Sequence, residues 1–499
     1  MKNIFKSNLL KLTVLALLIG SCTDLEVQEG DSLVVKSTAG GTPTVDAAAL
    51  LAGAYVDLGA YTDQANIYAL GQHTTAEMIP PTRGVDWGDN GVWRVLDQHT
   101  WDATNSWIVG SWNQLNQRVF KASQIIGATP APSAAVAAEA KFLRAFNMYL
   151  VMDYWGQVPF RNITDGVDVN PKVMTRAEAF AFIEKDLTEA LAGLTKIGPK
   201  FDQGKASKAA ANALLAKLYL NKAVYTGAKA EGPYTHAAAD MAKVIAAANA
   251  VEADGFALET NYFDNFTATG GKNEVIFVSL EGTPQNRWFM TLHYDQNPSG
   301  WNGFTTLADF YAKFEAKDQR FGIPAKKDKS NFSGIGKGFL RGPQFKDDGS
   351  VLVDSRTTKP LSFTDDITLA GAATDKGIRV IKYHPADAGK YILQRYGDVL
   401  LYKAEAQFRS GDAAGALATV NAIRSKRGAT ALTALTADAL FDEIGRETYW
   451  EGQKRTVEVR FEKFLNGTGV ANKNAGTVLF PIPADAVTSN PNLKQNPGY

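Results

Sequence analysis

The chain has 499 residues, of which 45% are hydrophobic, and its 52 basic side chains are matched by 52 acidic ones. A chain of this length and apolar content can bury at least one full hydrophobic core, which excludes a wholly disordered protein. Because lysines and arginines are nowhere clustered, the sequence also lacks the electrostatic footprint that nucleic-acid binding requires.

The amino terminus predicts a lipoprotein signal. Three lysines accompany an apolar run over residues 12–19, which is too short to cross the roughly 30 Å hydrocarbon core of a bilayer. The segment ends in the letters IGSC, the order of a bacterial lipobox, in which the cysteine thiol receives the lipid. Cys22 is the only cysteine, so an internal disulfide framework is excluded. We predict a signal peptide over 1–21, lipidation of Cys22 and no transmembrane helix in the mature protein.

Residues 22–45 are predicted to be an acidic tether. The stretch TDLEVQEGD that follows Cys22 is polar and has neither a helical nor a strand period. Acidic residues directly behind the lipidated cysteine resemble the signal that exports lipoproteins of the Bacteroidetes to the outer face of the outer membrane. We therefore expect a lipid-anchored protein that faces the extracellular side.

Helical periodicity dominates residues 46–253. Asp46 is a good N-cap for a first helix that runs to residue 58. Thr175 and Glu178 form a capping box for another, whose apolar residues recur at helical spacing up to Leu194. Further helices are predicted over 106–126, 133–154, 207–225 and 234–250.

The rest of the chain divides into a loop-rich part and a second helical part. Residues 254–391 are rich in glycine, asparagine, aspartate and aromatics, with strand-like runs at 274–280 and 378–383. The segment 396–427 contains two helices around a Gly-Asp turn, a pattern typical of the roughly 34-residue tetratricopeptide unit. We predict a mostly α fold in a single domain over 46–499. Helical hairpins over 46–253 and 392–460 would support a loop-rich lobe over 254–391 with a few short strands.

Most catalytic signatures are absent from the sequence. A lipase-type GDSL match at 30–33 lies in the acidic tether without the strand–turn–helix context of a hydrolase, so we interpret it as chance. The sequence contains no phosphate-binding Walker loop, no His-Glu-x-x-His and no Gly-x-Ser-x-Gly, and its five histidines are too widely spaced to suggest a local pair of metal ligands. We predict no cofactor and no metal. A glycosidase needs only two carboxyl groups ~5–10 Å apart, a distance that sequence does not provide, so that alternative stays open.

The tryptophans are clustered. Five of the nine fall between residues 87 and 112, close to Arg83, Asn105 and several aspartates. An indole can stack on the apolar face of a sugar while amide, carboxylate or guanidinium groups bind its hydroxyls. The alternative is that the aromatics pin long loops to the helices, and Trp107 and Trp112, which fall on a predicted helix, are expected in the core.

A second aromatic set lies in the loop-rich lobe, and the two sets could face one another across a sugar site. Asparagines and aspartates are interspersed among its members, which are Trp288, Phe289, Tyr294, Trp301 and Phe304.

Several stretches together resemble the SusD/RagB family of surface nutrient-binding lipoproteins. The resemblance covers nearly the whole chain. Its first half carries the lipobox, PTRG at 81–84 followed by Trp87, LRAF at 143–146 and DYWGQVPF at 153–160. The second half carries RYGDVLL at 395–401, KAEA at 403–406, NAIR at 421–424 and WEGQKR at 450–455. Its most specific motifs are FPIP at 480–483 and NPNLKQNPGY at 490–499.

This resemblance implies a SusD-like protein with four tetratricopeptide-like units beneath a loop-rich binding face and no enzymatic activity. Such a protein would be the lid of a SusC-like, TonB-dependent outer-membrane transporter, to which it would hand captured oligosaccharides. The loop aromatics that family members use for starch-like glycans map loosely onto this sequence, and the Arg83 and Trp87 block could serve the fold as well. The ligand-binding residues implied are Arg83, Trp87, Trp101, Asn105, Tyr294 and Trp301.

Three alternatives remain open beside glycan binding. RagB-type relatives take up peptides, which would be recognised through backbone-pairing groups and fewer exposed indoles. A lipid-anchored glycosidase would release sugar. A helical scaffold that binds only protein would bury its tryptophans.

Overall fold

The computed structural model of the protein describes residues 34–35, 44–165, 168–283, 286–467 and 469–499. The predicted signal peptide, the lipidation site Cys22 and most of the acidic tether lie outside the described residues. Across the described ranges, every helix is too short or too polar to span a membrane.

Helices account for most of the regular structure. Sixteen α-helices lie within the described residues, and they fall mainly in the two parts of the chain where helical periodicity was found. The first nine are α1 (Ala47–Val56), α2 (Asn66–Gln72), α3 (Arg94–Gln98), α4 (Ser106–Ile126), α5 (Ala134–Trp155), α6 (Arg176–Gly193), α7 (Lys208–Leu220), α8 (Lys222–Thr226) and α9 (Ala238–Ala253). The others are α10 (Asn286–Phe289), α11 (Ala308–Tyr311), α12 (Tyr396–Arg409), α13 (Ala413–Lys426), α14 (Ala437–Thr448), α15 (Lys454–Arg460) and α16 (Ala484–Ser489).

The strands are short, and all of their pairings are antiparallel. They are β1 (Val34–Val35), β2 (Thr44–Val45), β3 (Gln157–Phe160), β4 (Lys172–Thr175), β5 (Val275–Ser279), β6 (Gly322–Ile323), β7 (Lys337–Leu340), β8 (Gly342–Pro343), β9 (Val353–Asp354), β10 (Lys359–Pro360), β11 (Ser362–Phe363), β12 (Arg379–Ile381) and β13 (Tyr391–Arg395). The largest sheet has three strands in the order β12-β7-β6, and the pairs are β1-β2, β3-β4, β5-β13, β8-β11 and β9-β10. The predicted runs at 274–280 and 378–383 correspond to β5 and β12.

Local capping explains why the predicted helices begin where they do. The Asp46 carboxylate accepts the backbone N–H groups of Ala48 and Ala49, both at 3.0 Å. Thr175 and Glu178 form the reciprocal capping box at the start of α6. These contacts satisfy N–H groups that have no partner within the helix.

One predicted helix is interrupted. The periodicity over 207–225 suggests a continuous helix, but the structure breaks it at Asn221 into α7 and α8. The Asn221 side chain donates to the Lys217 carbonyl at 2.8 Å and accepts from Arg460 at 2.8 Å. A side chain that bonds to nearby backbone and to a distant helix competes with helix continuation, and sequence periodicity does not register this effect.

The helices pair into tetratricopeptide-like hairpins stacked side by side. Helix α4 packs against α5, α5 against α6, α7 against α9 and α12 against α13, while α9 joins α12 across the two helical parts of the chain. One continuous hydrophobic core runs from Ala47 to Leu493. The prediction of a mostly α fold of helical hairpins with a loop-rich lobe is confirmed.

A buried cluster of charges connects the lobe to the helices. The Glu447 carboxylate of α14 accepts from Arg395 at 2.7 Å, from Arg427 at 2.6 Å and from Arg320 at 3.0 Å. Arg395 also donates to Glu274 at 2.8 Å, next to β5. All five side chains are fully buried, so the charges compensate one another without help from solvent.

The carboxyl-terminal segment folds back onto the end of α5. The Asn496 amide donates to the carbonyls of Trp155 at 2.8 Å and Phe480 at 2.7 Å. The Tyr499 hydroxyl accepts from Trp101 Nε1 at 2.6 Å. The carboxyl-terminal motif therefore supports the tryptophan-rich segment near the start of α4.

Candidate functional site

An open cavity of about 1040 Å³ lies over the tryptophan-rich segment. Residues 85–107 form most of its wall, and Tyr294 and Trp301 of the loop-rich lobe close the other side. We call this feature the aromatic cavity. It is lined by Gln64, Val85, Asp86, Trp87, Asp89, Asn90, Gly91, Val92, Trp93, Val95, Thr100, Trp101, Asp102, Thr104, Asn105, Ser106, Trp107, Tyr294 and Trp301.

Trp87 and Trp301 bring the two aromatic sets together. Trp87 Nε1 donates to the Trp301 carbonyl at 2.8 Å, and the two ring centroids are 6.2 Å apart with planes inclined by 55°. The Trp87 indole lies so close to Gly303 that a Cβ there would be 2.3 Å from the ring, so glycine is required at that position. Trp301 is 49% exposed, and its indole is available to a ligand.

A buried aromatic layer supports these two indoles. Trp87 contacts Trp93 and Phe304 at centroid distances of 5.7 Å and 4.9 Å. Beneath them lies His73, 4.2 Å from Phe304. Burial lowers the pKa of His73 to about 3, so the imidazole is neutral and packs as an aromatic ring.

Arg83 is placed beneath the site and does not line it. Its side chain is 2% exposed and donates to the carbonyls of Asn302 at 2.6 Å and Lys376 at 2.7 Å, and also to that of Ala373. Arg379 donates to the Asn302 side chain at 2.5 Å and to the Lys376 carbonyl at 2.6 Å. The two guanidiniums thus fix the backbone beside Trp301, which makes Arg83 a positioning residue.

Tyr294 contacts a carboxylate through its hydroxyl and a guanidinium through its ring. Its hydroxyl donates to the Asp86 carboxylate, and Arg356 lies 3.0 Å from the same carboxylate. The Arg356 guanidinium also stacks over the Tyr294 ring at 3.7 Å. The hydrogen bond from Tyr294, together with Arg356, keeps the pKa of Asp86 below its usual value. Asp86 is therefore ionised at neutral pH.

Trp101 and Asn105 line the cavity but are largely buried. Trp101 is 5% exposed, and its ring packs against His99 and Phe480 at 4.9 Å each. Asn105 is the N-cap of α4, and its side-chain oxygen accepts the backbone N–H of Trp107 at 3.0 Å. Each of the two predicted ligand residues thus has a structural role and offers little free surface.

Trp107 differs from the expectation for it. Trp112 is buried, as its place on a helix predicts, but Trp107 is only partly buried and lines the aromatic cavity. It occupies the first turn of α4, where the helix emerges next to the cavity. Of the six predicted site residues, five line the cavity and Arg83 supports it. Helical periodicity alone predicts a buried Trp107, because it does not register that the first turn of α4 lies next to the cavity.

Among the described residues, one group has a composition that could hold a metal ion. His293, Asp295 and Asp354 place one nitrogen and two carboxylate oxygens within 4.8 Å of one another, next to Tyr294. The two carboxylates already accept hydrogen bonds, from Ser355 N at 2.9 Å and from Thr374 Oγ1 at 2.5 Å. Both carboxylates therefore have hydrogen-bond donors of their own, while His293 Nε2 is buried without a hydrogen-bond partner among the described residues.

The cavity offers aromatic faces together with hydrogen-bonding side chains. Trp87, Trp107 and Trp301 present indole surface, while Asp102 and Asn90 are exposed along the wall. Apolar faces suit the C–H side of a pyranose, and the carboxylate and amide groups suit its hydroxyls. The cavity thus combines the two kinds of surface that a carbohydrate ligand would contact.

Comparisons with known families match two separate stretches of the chain. Residues 25–220 match a family described as starch-binding and associating with the outer membrane. Residues 382–475 match the SusD family. The second match includes the end of the lobe and the helices α12 to α15.

Similar proteins are found among curated sequences and solved structures. The starch-binding protein SusD of Bacteroides thetaiotaomicron is 26% identical over 452 residues, which cover 77% of this chain and 76% of that protein. The SusD-like protein P2 of Formosa agariphila is 24% identical and covers 97% of this chain and 98% of its own.

Solved structures share the fold at lower sequence identity. A laminarin-binding SusD-like protein superimposes with a TM-score of 0.65 at 20% identity, covering 91% of this chain and 99% of its own. The surface glycan-binding protein A of Bacteroides fluxus superimposes with a TM-score of 0.66 at 18% identity, covering 92% of this chain and 100% of its own.

Proposed function

This chain belongs to the SusD family, and on that premise we propose that it binds oligosaccharides at the cell surface without altering them chemically. The observation that carries the proposal is the aromatic cavity, where Trp301 is 49% exposed beside Trp87. Structural relatives include a laminarin-binding protein and a complex with a xylogluco-oligosaccharide. An exposed indole beside partly buried ones in an open cavity favours sugars over peptides, which would need exposed backbone-pairing groups.

The carboxylates of the cavity support binding rather than hydrolysis. A glycosidase needs a general acid that stays protonated near neutral pH, which requires a raised pKa. Hydrogen bonds instead lower the pKa of Asp86, through Tyr294, and that of Asp102, through Thr104. Neither group is prepared to donate a proton to a glycosidic oxygen.

We propose further that the chain is lipidated at Cys22 and acts as the lid of a SusC-like, TonB-dependent transporter in the outer membrane. The lipobox and the matched family, which associates with the outer membrane, support this assignment. An open site gives only modest affinity, on the order of µM to mM, because it desolvates one part of the ligand. Confinement beside a transporter raises the effective concentration of the sugar, so modest affinity suffices and release stays fast.

Calorimetric titration of the full chain in detergent tests glycan binding directly. The panel contains linear glucan hexasaccharides with α-1,4, β-1,3 and β-1,4 linkages, an oligogalacturonate and a mixed peptide library. We expect saturable binding to one class of oligosaccharide and an unchanged amount of reducing sugar after incubation. Binding to the peptides alone would favour a peptide carrier, and release of reducing ends would indicate a glycosidase.

Two variants connect the binding to the cavity. Trp301→Ala removes the exposed indole but retains the Trp301 carbonyl that accepts from Trp87, so the fold should persist. We expect a loss of affinity of about tenfold or more, equal to about 1.4 kcal/mol. Phe120→Ala removes an aromatic ring that is 37% exposed on α4 and lies outside the cavity lining, and it should leave the affinity unchanged. Equal affinities in the two variants would locate the sugar elsewhere.

A further inference from the structure

The charged residues in the lining of the aromatic cavity all carry a negative charge. Among the described residues that line it, three are aspartates and none is a lysine, arginine or histidine. The three are Asp86, Asp89 and Asp102. Asp89 and Asp102 are exposed, and Asp86 is about one-third exposed, at 32% of its side chain. A ligand that enters the cavity therefore meets carboxylate oxygens along its wall.

Two arginines next to the cavity, Arg356 and Arg83, are held by other groups. Arg356 is paired with Asp86 at 3.0 Å, which leaves Asp89 and Asp102 without a cationic partner. Arg83 is buried and bonded to three carbonyls. Arg94 has no ion pair in the described structure, and one of its terminal nitrogens lies 3.5 Å from the position that a Cβ would take on Gly91, a lining residue. Arg94 itself lies outside the lining.

The hydrogen bonds of Asp89 and Asp102 leave acceptor capacity for a sugar. Asp89 accepts from Trp93 Nε1 at 2.8 Å, and Asp102 accepts the backbone N–H and the hydroxyl of Thr104 at 2.7 Å and 2.6 Å. Each carboxylate has about four lone-pair sites, so free sites remain that accept hydrogen bonds from sugar hydroxyls. The same oxygens repel a carboxylate or sulfate on a sugar, and the lining supplies no cation to pair with it.

We propose that the aromatic cavity selects uncharged oligosaccharides and excludes those that carry uronate or sulfate groups. This inference rests on the proposed function, since it specifies the chemical class of the glycan. Selection follows from Asp89 and Asp102 acting at once as acceptors for hydroxyl groups and as repulsive charges against anionic sugars. The exposed indoles add affinity for both classes of sugar, so the discrimination comes from the aspartates.

The sharpest test compares two ligands that differ only at C6, where one carries hydroxymethyl groups and the other carboxylates. The first is the glucan hexasaccharide of the panel that binds most tightly, and the second is the same hexasaccharide with its C6 hydroxymethyl groups oxidised to carboxylates. Titrations use the full chain at 10 mM salt, where the Debye length is ~30 Å, and at 1 M salt, where it is ~3 Å, so that charges interact over a much shorter range. We expect the oxidised sugar to bind about tenfold more weakly or worse at low salt, and the difference to shrink at high salt.

Isosteric variants test whether the aspartates cause the weaker binding of the oxidised sugar. In the double variant Asp89→Asn, Asp102→Asn the amide oxygens keep the acceptor positions for Trp93 and Thr104, so the fold should persist. We expect the affinity for the oxidised sugar to rise at least about threefold at low salt, while the affinity for the neutral sugar changes less. Asp168→Asn, which removes an exposed charge outside the lining, should change neither.

Each outcome separates this inference from the proposed function. Equal or tighter binding of the oxidised sugar, or binding of the oligogalacturonate alone, would overturn charge selection while upholding glycan binding. If that tight binding were lost in Arg94→Gln, Arg94 would be identified as the anion-binding residue. Failure of every oligosaccharide to bind would overturn the proposed function and this inference with it.

Discussion

Two groups of buried arginines in this molecule are bonded to different kinds of partner. Between the lobe and the helices, Arg320, Arg395 and Arg427 meet carboxylates, above all Glu447. Beneath the aromatic cavity, Arg83 and Arg379 donate to backbone carbonyls and to the Asn302 side chain.

The pKa directions reflect this difference. Burial by itself would lower the pKa of Arg395 and Arg427, but the surrounding carboxylates outweigh it and raise both. Beneath the cavity the carboxylate of Asp375 offsets burial only in part, so burial lowers the pKa of Arg83 to about 10 and that of Arg379 well below its ordinary value. The charge cluster binds two parts of the fold together, whereas the carbonyl-bonded pair fixes the backbone that presents Trp301.

The largest effect is expected from Glu447→Gln in the charge cluster. The substitution leaves three buried guanidiniums facing a neutral amide, so their charges lose a shared partner. Removing one member of a buried ion pair typically costs about 3–5 kcal/mol of the free energy of unfolding. Urea denaturation measures this loss. Glu252→Gln, which removes an exposed partner of Lys403, should cost well under about 1 kcal/mol, and similar costs for both variants would contradict the special role of the cluster.

A pH titration of stability should reveal a second buried carboxylate that depends on arginines. Burial would raise the pKa of Glu405, but Arg460 and Arg409 outweigh it and lower the pKa to about 2. Because this folded-state pKa is below the ordinary value of 4.5, the stabilisation is complete above pH 4.5 and is lost as the pH falls towards 2. It amounts to about 3 kcal/mol.

Glu405→Gln tests the source of that pH dependence. The variant should be less stable than the parent at pH 7, and its free energy of unfolding should fall less between pH 4.5 and 2. Parallel pH profiles for the two proteins would show that other groups control acid unfolding.

Arg83→Met tests whether Arg83 positions the backbone beside Trp301 for sugar binding, in addition to stabilising the fold. The substitution leaves the carbonyls of Asn302, Ala373 and Lys376 without their donor, which costs about 1–3 kcal/mol, less than loss of Glu447. Because the backbone beside Trp301 is then released, sugar affinity should fall although Arg83 does not line the cavity. Arg341→Met, which removes an exposed arginine paired with Asp365 in the loop-rich lobe, should leave both quantities nearly unchanged. Full affinity in Arg83→Met would contradict the positioning role.

These two regions also differ in how far sequence could predict them. The helices depend on contacts between residues three or four apart, as at Thr175 and Glu178, so periodicity and capping find them. The cavity depends on contacts such as that of Arg83 with Asn302, which are 219 residues apart. It also needs left-handed backbone at Trp87, with φ 63°, and at Asn302, with φ 50°. Asparagine adopts this conformation more readily than most residues, but a tryptophan rarely does, and no local pattern predicts it at Trp87.

Residue type predicted the membership of the site better than the role of each member. The clustering of tryptophans pointed to residues 87–112, and most of the cavity wall is formed by residues 85–107, without the buried Trp112. Arg83 looked like a ligand residue because a guanidinium can bind hydroxyls, but its bonds to the 373–376 segment are invisible in the sequence. Sequence shows which chemistry is present, while burial decides whether a side chain serves the ligand or the fold.

The smallest expected effect tests whether the two regions are independent. Thr175→Ala removes the side-chain cap of α6, whose hydroxyl accepts the Glu178 N–H at 3.3 Å, and it should lower the free energy of unfolding by about 1 kcal/mol. Thr175→Ser keeps the hydroxyl and should restore most of that stability. Sugar affinity should stay unchanged in both variants, because α6 contributes nothing to the cavity lining. Altered affinity in Thr175→Ala alone would mean that the helical stack and the aromatic cavity are coupled.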